Sequence, residues 1–234
     1  MKKIIFAISI VVLISSCSQS VVYSPSINMT NSPLNDGDVD LQGGIEMLPE
    51  SRPEKLGGSN NTLGLNGQLS YGFSNNFNLT MKGWVDIQGR EIYHRHGYSI
   101  GAQFVKKIDD KSRRIVLPRF GIAFNDGNVA GYGIGGSIIY QSTINDNLSW
   151  HGGAGFAWGF RYLEKDLNFN DEEKLPMGFG VLGNLGLGWN LSQSLRLNFE
   201  LNPIYQLNSF DDNSLFLLAP SVGMGYTIRQ SKGE

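Results

Sequence analysis

The stretch at residues 147–162 reads NLSWHGGAGFAWGFRY, and the stretch at residues 177–191 reads MGFGVLGNLGLGWNL. In both, large apolar residues occupy most alternate positions, and glycine or a small polar residue fills most of the positions between them. Successive side chains of a β-strand point to opposite faces, so this alternation predicts long strands with two unlike faces. Two such strands, nearly free of charge, predict an all-β protein.

The same period recurs along the chain and predicts ten strands, near residues 38–47, 62–73, 76–87, 97–106, 114–124, 130–142, 147–162, 176–191, 194–207 and 215–228. The connections at 74–75, 145–146 and 192–193 are tight turns, whereas 48–61 and 163–175 are long and charged. Outer-membrane barrels have short turns at one end and longer loops at the other. The charged segment 107–113 is the exception, because it is long where a short turn is expected.

We therefore predict a single closed antiparallel up-and-down β-barrel of about ten strands, of the outer-membrane type. Closure requires the first strand to pair with the last, with Leu41 and Met224 expected near each other. The fifth strand is weak because it carries Pro118, and the first is weak because it is short with Asp38, Asp40 and Glu46 on one face. If it belongs to the N-terminal tether and another pair merges, eight strands result.

The residues of the non-apolar face indicate whether the apolar face lies outside the barrel or inside it. Charged residues make up 17% of the chain and concentrate in the connections, whereas the wet face of a soluble barrel carries charge on roughly a quarter to a third of its positions. The few charges within strands fall mostly on the face of the small residues, which predicts pairing inside a narrow barrel: Lys82, Asp86, Arg119, Arg161, Arg196 and Glu200. Aromatic residues are expected to form a belt near the short turns: Tyr71, Phe73, Phe77, Tyr140, Trp150, Trp189 and Tyr226. Trp158, Phe160 and Tyr162 are expected near the opposite end.

The N-terminus reads MKKIIFAISIVVLISSC, a short positive segment followed by an apolar run that is too short to span a bilayer. The run ends Ile14-Ser15-Ser16-Cys17, which resembles the lipobox of bacterial lipoproteins. The resemblance implies that residues 1–16 are a removed signal peptide and that the Cys17 sulfur receives a lipid carrying fatty-acyl chains such as palmitate. Cys17 is the one cysteine of the chain, so it has no partner for a disulfide within it.

These features divide the chain into the signal peptide at 1–16, a lipidated periplasmic tether at 17–37, the barrel at 38–229 and a polar tail at 230–234. The segment Ser18-Gln19-Ser20-Val21 lacks the acidic cluster that resembles a surface-export signal, so we expect the lipid in the inner leaflet of the outer membrane. The formal charge of −2 becomes −4 once Lys2 and Lys3 are removed, which disfavours nucleic acid as a partner. The expected partners are outer-membrane lipids and the machineries of lipoprotein processing and barrel assembly.

The tether and strands together resemble small outer-membrane β-barrel lipoproteins of the Bacteroidetes type. The resemblance lies in Tyr23, Pro25, Asn31, Pro33, Leu34, the approach Asp36-Gly37-Asp38, and the strand–turn–strand at residues 68–79, QLSYGFSNNFNL. That family has no assigned chemistry, so the likeness implies a location and a fold but no reaction.

The chain contains three histidines. His94 and His96 form an H-x-H pair to which Glu91 could add a third metal ligand, although a solvated polar loop is the simpler interpretation. His151 lies on the inward face, where a few barrel enzymes place a catalytic histidine, but no G-x-S-x-G nucleophile motif accompanies it. We therefore expect no catalytic residue, cofactor or metal.

Two classes of function follow, with a third less favoured. The first is a non-enzymatic outer-membrane barrel lipoprotein with a structural or binding role in the envelope. The second is a soluble, lipid-tethered periplasmic barrel that binds a small apolar ligand inside. The third is a barrel enzyme acting on envelope lipids.

Overall fold

The protein is described by a computed structural model that covers residues 26–27, 34–50, 60–87, 95–125, 128–161, 177–207 and 214–230. The strands are β1 Val39–Glu50, β2 Asn60–Ser74, β3 Phe77–Asp86, β4 Arg95–Lys107, β5 Ser112–Asn125, β6 Asn128–Asn145, β7 Leu148–Arg161, β8 Met177–Asn190, β9 Leu195–Leu207 and β10 Ser214–Ile228. Each coincides with a predicted strand, with ends that differ by at most three residues. The described residues contain no helix long and apolar enough to cross a membrane.

Each strand pairs antiparallel with its neighbour in sequence, and β1 closes the barrel against β10. The ten-strand prediction is confirmed. The predicted facing pair is displaced by two residues, because Met224 lies opposite Gly43 and Leu41 lies opposite Tyr226. Closure leaves no unpaired strand edge, so the backbone N–H and C=O groups of β1 and β10 are satisfied without water.

The pairing register fixes the tilt of the strands. Val39 pairs with Tyr71 on β2, and following partners from strand to strand around the barrel leads to Phe216 on β10. On its other side Val39 pairs directly with Ile228, so the two ends of this row differ by twelve residues along β10. A stagger of this size in ten strands corresponds to a tilt of about 40°.

The two ends of the barrel differ in their connections. Residues 75–76, 108–111, 146–147 and 191–194 connect strands at one rim, here called the short-turn end, where β1 begins and β10 ends. The connections at the other rim, the loop end, include 51–59 and 162–176, which lie outside the described residues; the two-residue connection at 126–127 is the short exception.

The charged turn proves shorter than predicted. β4 continues to Lys107 and β5 begins at Ser112, so the connection is 108–111 and not 107–113. Lys107 Nζ donates to Asp110 Oδ1 at 2.6 Å, and this hydrogen bond lowers the pKa of the Asp110 carboxyl. The prediction of an unusually long periplasmic turn was therefore wrong, because much of its charge belongs to the strand ends.

Side chains sort by face as the alternation predicted. Large apolar side chains of every strand are exposed on the outside, while polar and charged side chains are buried inside. The lumen also contains buried apolar clusters. One comprises Val105, Ile115, Leu117 and Ile139 with Ile27, and the other two comprise Leu48, Trp84 and Ala123, and Leu182, Ile204 and Ala219.

Outward aromatic side chains gather at both rims. The predicted belt at the short-turn end is present, and Phe104 joins it 5.3 Å from Phe77 by ring centroids. Its outward members are Tyr71, Phe73, Tyr140, Trp150, Trp189 and Tyr226. A second set lies near the loop end, including Tyr98, Tyr205 and Phe216. Trp158 belongs to this end as predicted, whereas nothing is described of the Phe160 side chain or of Tyr162.

Residues 34–38 pack against the short-turn end just before β1. Leu34 is buried, and the Gly37 N–H donates to the Gly72 carbonyl at 2.8 Å. Gly37 has a φ of 82°, a left-handed conformation that glycine adopts without steric cost. The Asp38 carboxylate accepts hydrogen bonds from the Asn35 N–H and from the Gln230 N–H, which ties the start of the barrel to its end.

Candidate functional site

Ser26 lies in the middle of the barrel lumen, although it was predicted to be part of a periplasmic tether. It is fully buried, and its partners are inward side chains of three strands. Its hydroxyl lies 2.6 Å from Glu46 Oε2 of β1 and 2.5 Å from Lys82 Nζ of β3, and Asn66 Nδ2 of β2 donates to it at 3.3 Å. A residue that contacts three strands on their inner faces must lie inside the barrel.

Ile27 continues the same segment toward the short-turn end. Its N–H donates to Glu200 Oε2 of β9 at 2.7 Å, and its side chain belongs to the inner apolar cluster of β4, β5 and β6. Val105 and Ile115 of that cluster lie close to the turn at 108–111. Ile27 thus lies nearer the short-turn end than Ser26 does.

The Ser26 and Ile27 main chain is held by charged groups. The Ser26 N–H donates to Glu46 Oε2 at 3.2 Å, and Lys82 Nζ donates to the Ser26 carbonyl at 2.5 Å. Lys82 Nζ is 3.8 Å from Glu46 Oε2, so each of the two charges lies closer to the segment than to the other charge. Hydrogen bonds with one ionised partner are about twice as strong as neutral ones.

His151 lies inward as predicted and is fully buried. Its Nε2 is 3.5 Å from Glu200 Oε1, and Asn184 Nδ2 lies 3.5 Å from Glu200 Oε2. Gly186 faces this pair, and a Cβ built there would overlap the His151 ring and come within 3.1 Å of Glu200 Cγ. The glycine on the neighbouring strand thus leaves the space that the imidazole fills.

Gly186→Ala is expected to lower the free energy of unfolding by about 1–3 kcal/mol, because the added methyl group displaces the His151 ring in a packed lumen. Gly67→Ala is the matched control. A Cβ at outward-facing Gly67 meets nothing closer than the Gln42 carbonyl at 3.8 Å, so this change should be neutral or slightly stabilising. Denaturant titration of both variants in lipid vesicles measures the difference, and equal stability of the two would contradict the packing described.

A second charged cluster lies at the short-turn end. Arg196 of β9 binds Asp40 of β1 in a bidentate arrangement, with NH1 2.7 Å from Oδ1 and NH2 2.6 Å from Oδ2. Thr227 Oγ1 donates to the same carboxylate at 2.7 Å, as does Gln42 Nε2. Gly225 leaves room for the guanidinium, since a Cβ there would lie 2.5 Å from Arg196 Cζ.

The structure places five of the six charged residues predicted to lie inside the barrel. Lys82, Glu200 and Arg196 are buried inside and bind opposite charges or the main chain, and Asp86 and Arg119 are also buried. Nothing is described of the Arg161 side chain. Arg113, predicted within the charged turn, is instead an inward residue whose Nε donates to Gln141 Oε1 at 2.8 Å.

The H-x-H pair is only partly described. His94 and Glu91 lie outside the described residues, and His96 stacks on Phe124 with ring centroids 5.1 Å apart. Within the described ranges, no group of three or more His, Cys, Asp or Glu side chains has the geometry of a metal site.

The placement of residues 26–27 was missed by the sequence analysis. The groups of this segment that bind the barrel are mostly main-chain N–H and C=O groups, which leave no periodic pattern in the segment itself. A signal was present on the strands, because Glu46, Lys82 and Glu200 place three charged residues at inward positions.

Comparison with known proteins gives two kinds of likeness. The family model described as "Prokaryotic membrane lipoprotein lipid attachment site" matches residues 1–18, which include Cys17. No curated protein sequence matches the chain. Among solved structures, an outer-membrane channel from Pseudomonas putida is similar with a TM-score of 0.52 and 9% identity, over 87% of this chain and 100% of that one.

Two further barrels are similar at lower TM-scores. They are the outer-membrane protease OmpT of Escherichia coli (TM-score 0.44, 8% identity, 87% of this chain and 100% of that one) and the N-terminal barrel domain of Pseudomonas aeruginosa OprF (0.39, 11%, 82% and 98%). At these identities the likenesses bear on fold alone. The chain is therefore an outer-membrane-type β-barrel that carries a lipoprotein attachment-site sequence at its N-terminus.

Proposed function

We propose that this protein is a non-enzymatic outer-membrane lipoprotein, lipidated at Cys17, whose barrel spans the membrane and serves a structural or binding role in the envelope. The observation that carries the proposal is the sorting of side chains: Leu185 and Met81 are more than half exposed outside, while Lys82 and Glu200 are about 95% buried inside. An apolar outer surface of this extent is stable in lipid and costly in water. The alternative of a soluble barrel with an apolar interior needs the opposite sorting.

The spacing of the aromatic belts supports membrane insertion. Trp189 and Phe179 lie on the outer face of β8, near opposite rims and ten residues apart. With a rise of ~3.3 Å per residue and a tilt of about 40°, this separation corresponds to roughly 25 Å along the barrel axis. Outer-membrane barrels have an apolar band of about this height between two aromatic girdles.

The contents of the lumen support a binding or structural role over catalysis. The Ser26 hydroxyl, which has charged neighbours, is fully buried among Glu46, Lys82 and Asn66. A substrate has no approach to that oxygen while the segment occupies the lumen. The buried His151 contacts Glu200, whose other oxygen accepts the Ile27 N–H, so these groups hold the segment in place.

The lipid is proposed to lie on the periplasmic side, as the composition of residues 18–21 favours. The lipid has two alternative locations, the periplasmic side and the cell surface. An epitope inserted between Ser18 and Val21 distinguishes them: protease added to intact cells should leave it uncut. Cleavage from outside would instead put the lipid on the cell surface.

The proposal is tested by membrane extraction of a Cys17→Ser variant. Incorporation of labelled palmitate should be abolished, because the thiol that receives the lipid is gone. The variant should nevertheless stay in outer membranes washed with sodium carbonate, since the barrel itself holds it there. Unchanged palmitate labelling would contradict lipidation at Cys17, and release by carbonate would contradict a membrane-spanning barrel.

A further inference from the structure

We propose that the middle of the lumen is a binding site for an extended peptide, and that Ser26 and Ile27 occupy it as a ligand supplied by the chain itself. The inference rests on the proposed binding role and gives it a ligand class. That class is an extended peptide in which a small hydroxyl residue precedes a branched aliphatic one.

Three successive main-chain groups of the segment each have a charged partner. The Ser26 N–H donates to Glu46, the Ser26 carbonyl accepts from Lys82, and the Ile27 N–H donates to Glu200. The partners come from β1, β3 and β9, so three separate strands converge on one stretch of backbone. Recognition of main-chain groups binds a peptide in one conformation with little regard to its sequence.

Two side-chain subsites add selectivity. The Ser26 hydroxyl lies within 2.6 Å of both Glu46 Oε2 and Lys82 Nζ and leaves no exposed surface, which favours a small residue with a hydroxyl group. Ile27 packs among Val105, Ile115, Leu117 and Ile139, an apolar pocket that favours a branched aliphatic side chain. A hydroxyl subsite beside an aliphatic one defines a dipeptide preference.

Lys82 and Glu200 lie closer to the segment than to the neighbouring Glu46 and His151. Lys82 Nζ is 2.5 Å from the Ser26 carbonyl oxygen but 3.8 Å from Glu46. Glu200 lies 2.7 Å from the Ile27 nitrogen but 3.5 Å from His151 Nε2. Buried ions need close partners to offset desolvation, and the main-chain groups of the segment are among the close partners of these side chains.

The test uses the full mature chain with Ile27→Asp, in which a carboxylate cannot enter the apolar pocket and the segment vacates the site. The probe is a fluorescein-labelled synthetic peptide of residues 22–31, and binding to the barrel in detergent is followed by anisotropy. The variant should bind the peptide saturably, whereas the wild-type chain, whose site is filled, should bind it at least ten-fold more weakly. Ile27→Gly serves as a second variant if Ile27→Asp does not fold, with folding monitored by the heat-dependent shift in electrophoretic mobility.

Changes in the peptide test recognition without altering the barrel. A peptide N-methylated at Ile27 lacks the donor to Glu200, and a peptide with Ile27→Asp does not fit the pocket. Each peptide should bind at least ten-fold more weakly than the parent. For the N-methylated peptide this is the loss expected when a hydrogen bond to a charged group is removed. In the barrel, adding Lys82→Met should weaken binding similarly, while Arg113→Met, which removes a buried cation bound to Gln141, should not.

The inference is overturned if a folded Ile27 variant binds no peptide, if it binds the modified peptides as tightly as the parent, or if the wild-type chain binds equally well. Any of these results in a barrel that still resists carbonate extraction would leave the proposed membrane role intact. The two proposals therefore fail separately.

Discussion

Asp40→Asn is expected to lower the free energy of unfolding by about 3–5 kcal/mol, the loss found when one partner of a buried ion pair is removed. The Arg196 guanidinium would remain in the lumen without its carboxylate, and the new amide group would present N–H donors to the donors of Arg196 or Gln42. Denaturant unfolding of the refolded barrel in lipid vesicles measures the change.

The double variant Asp40→Asn with Arg196→Met separates the cost of an orphaned charge from the value of the pair. Because both charges are then gone, it should recover much of the stability lost in the single variant. Asp110→Asn is the matched control, since the Lys107–Asp110 pair is exposed to solvent and should contribute little to stability. A single variant as stable as the control would show that the Asp40–Arg196 pair does not stabilise the barrel.

Leu185→Arg is expected to destabilise the barrel in a bilayer by about 2–4 kcal/mol, as a charge does near the midplane of an outer-membrane barrel. Leu185 is 55% exposed on the outer face of β8, midway between the two aromatic belts. The same side chain would be harmless or favourable on a water-facing surface, so the sign of the effect tests what surrounds the barrel.

Ile144→Arg is the matched control for depth. Ile144 is 52% exposed but lies beside the turn at 146–147, where an arginine side chain reaches the interface and should cost at most about 1 kcal/mol. Both variants are compared by guanidinium unfolding in vesicles. Equal losses at the two depths would argue against the proposed membrane position.

The strands were predictable because their signal is local. In 147–162 most positions of one parity are large and apolar and those of the other are mostly small or polar, a contrast set by adjacent positions. Interior apolar residues were harder to find, because Ile115-Val116-Leu117 and Ile138-Ile139 place large side chains on both faces and hide the period of two. Such runs are typical of strands that are packed on both sides.

The acidic residues of β1 show that a local sequence pattern does not predict contacts between distant residues. Asp38, Asp40 and Glu46 made this strand one of the two weakest in sequence, since three acidic residues share one of its faces. Their role depends on contacts with Arg196, Lys82 and the Ser26 segment, which the local pattern of β1 does not show. The position of Ser26 and Ile27 was unpredictable for the same reason, because their partners are distant in sequence.

Two contacts with β9, one from β1 and one from Ile27, determine how late part of the barrel can assemble. Asp40 and Arg196 are separated by 156 residues, and Ile27 and Glu200 by 173, so neither contact can form until nearly the whole chain has been delivered. Proteins dominated by such distant pairings fold slowly, because the entropy of ordering the long intervening chain is lost before the contacts form. The first strand can pair early with β2, its neighbour in sequence, but its pairing with β10 and its contacts with β9 must form late. The pairing of β1 with β10 joins the earliest-synthesised strand of the barrel to the last.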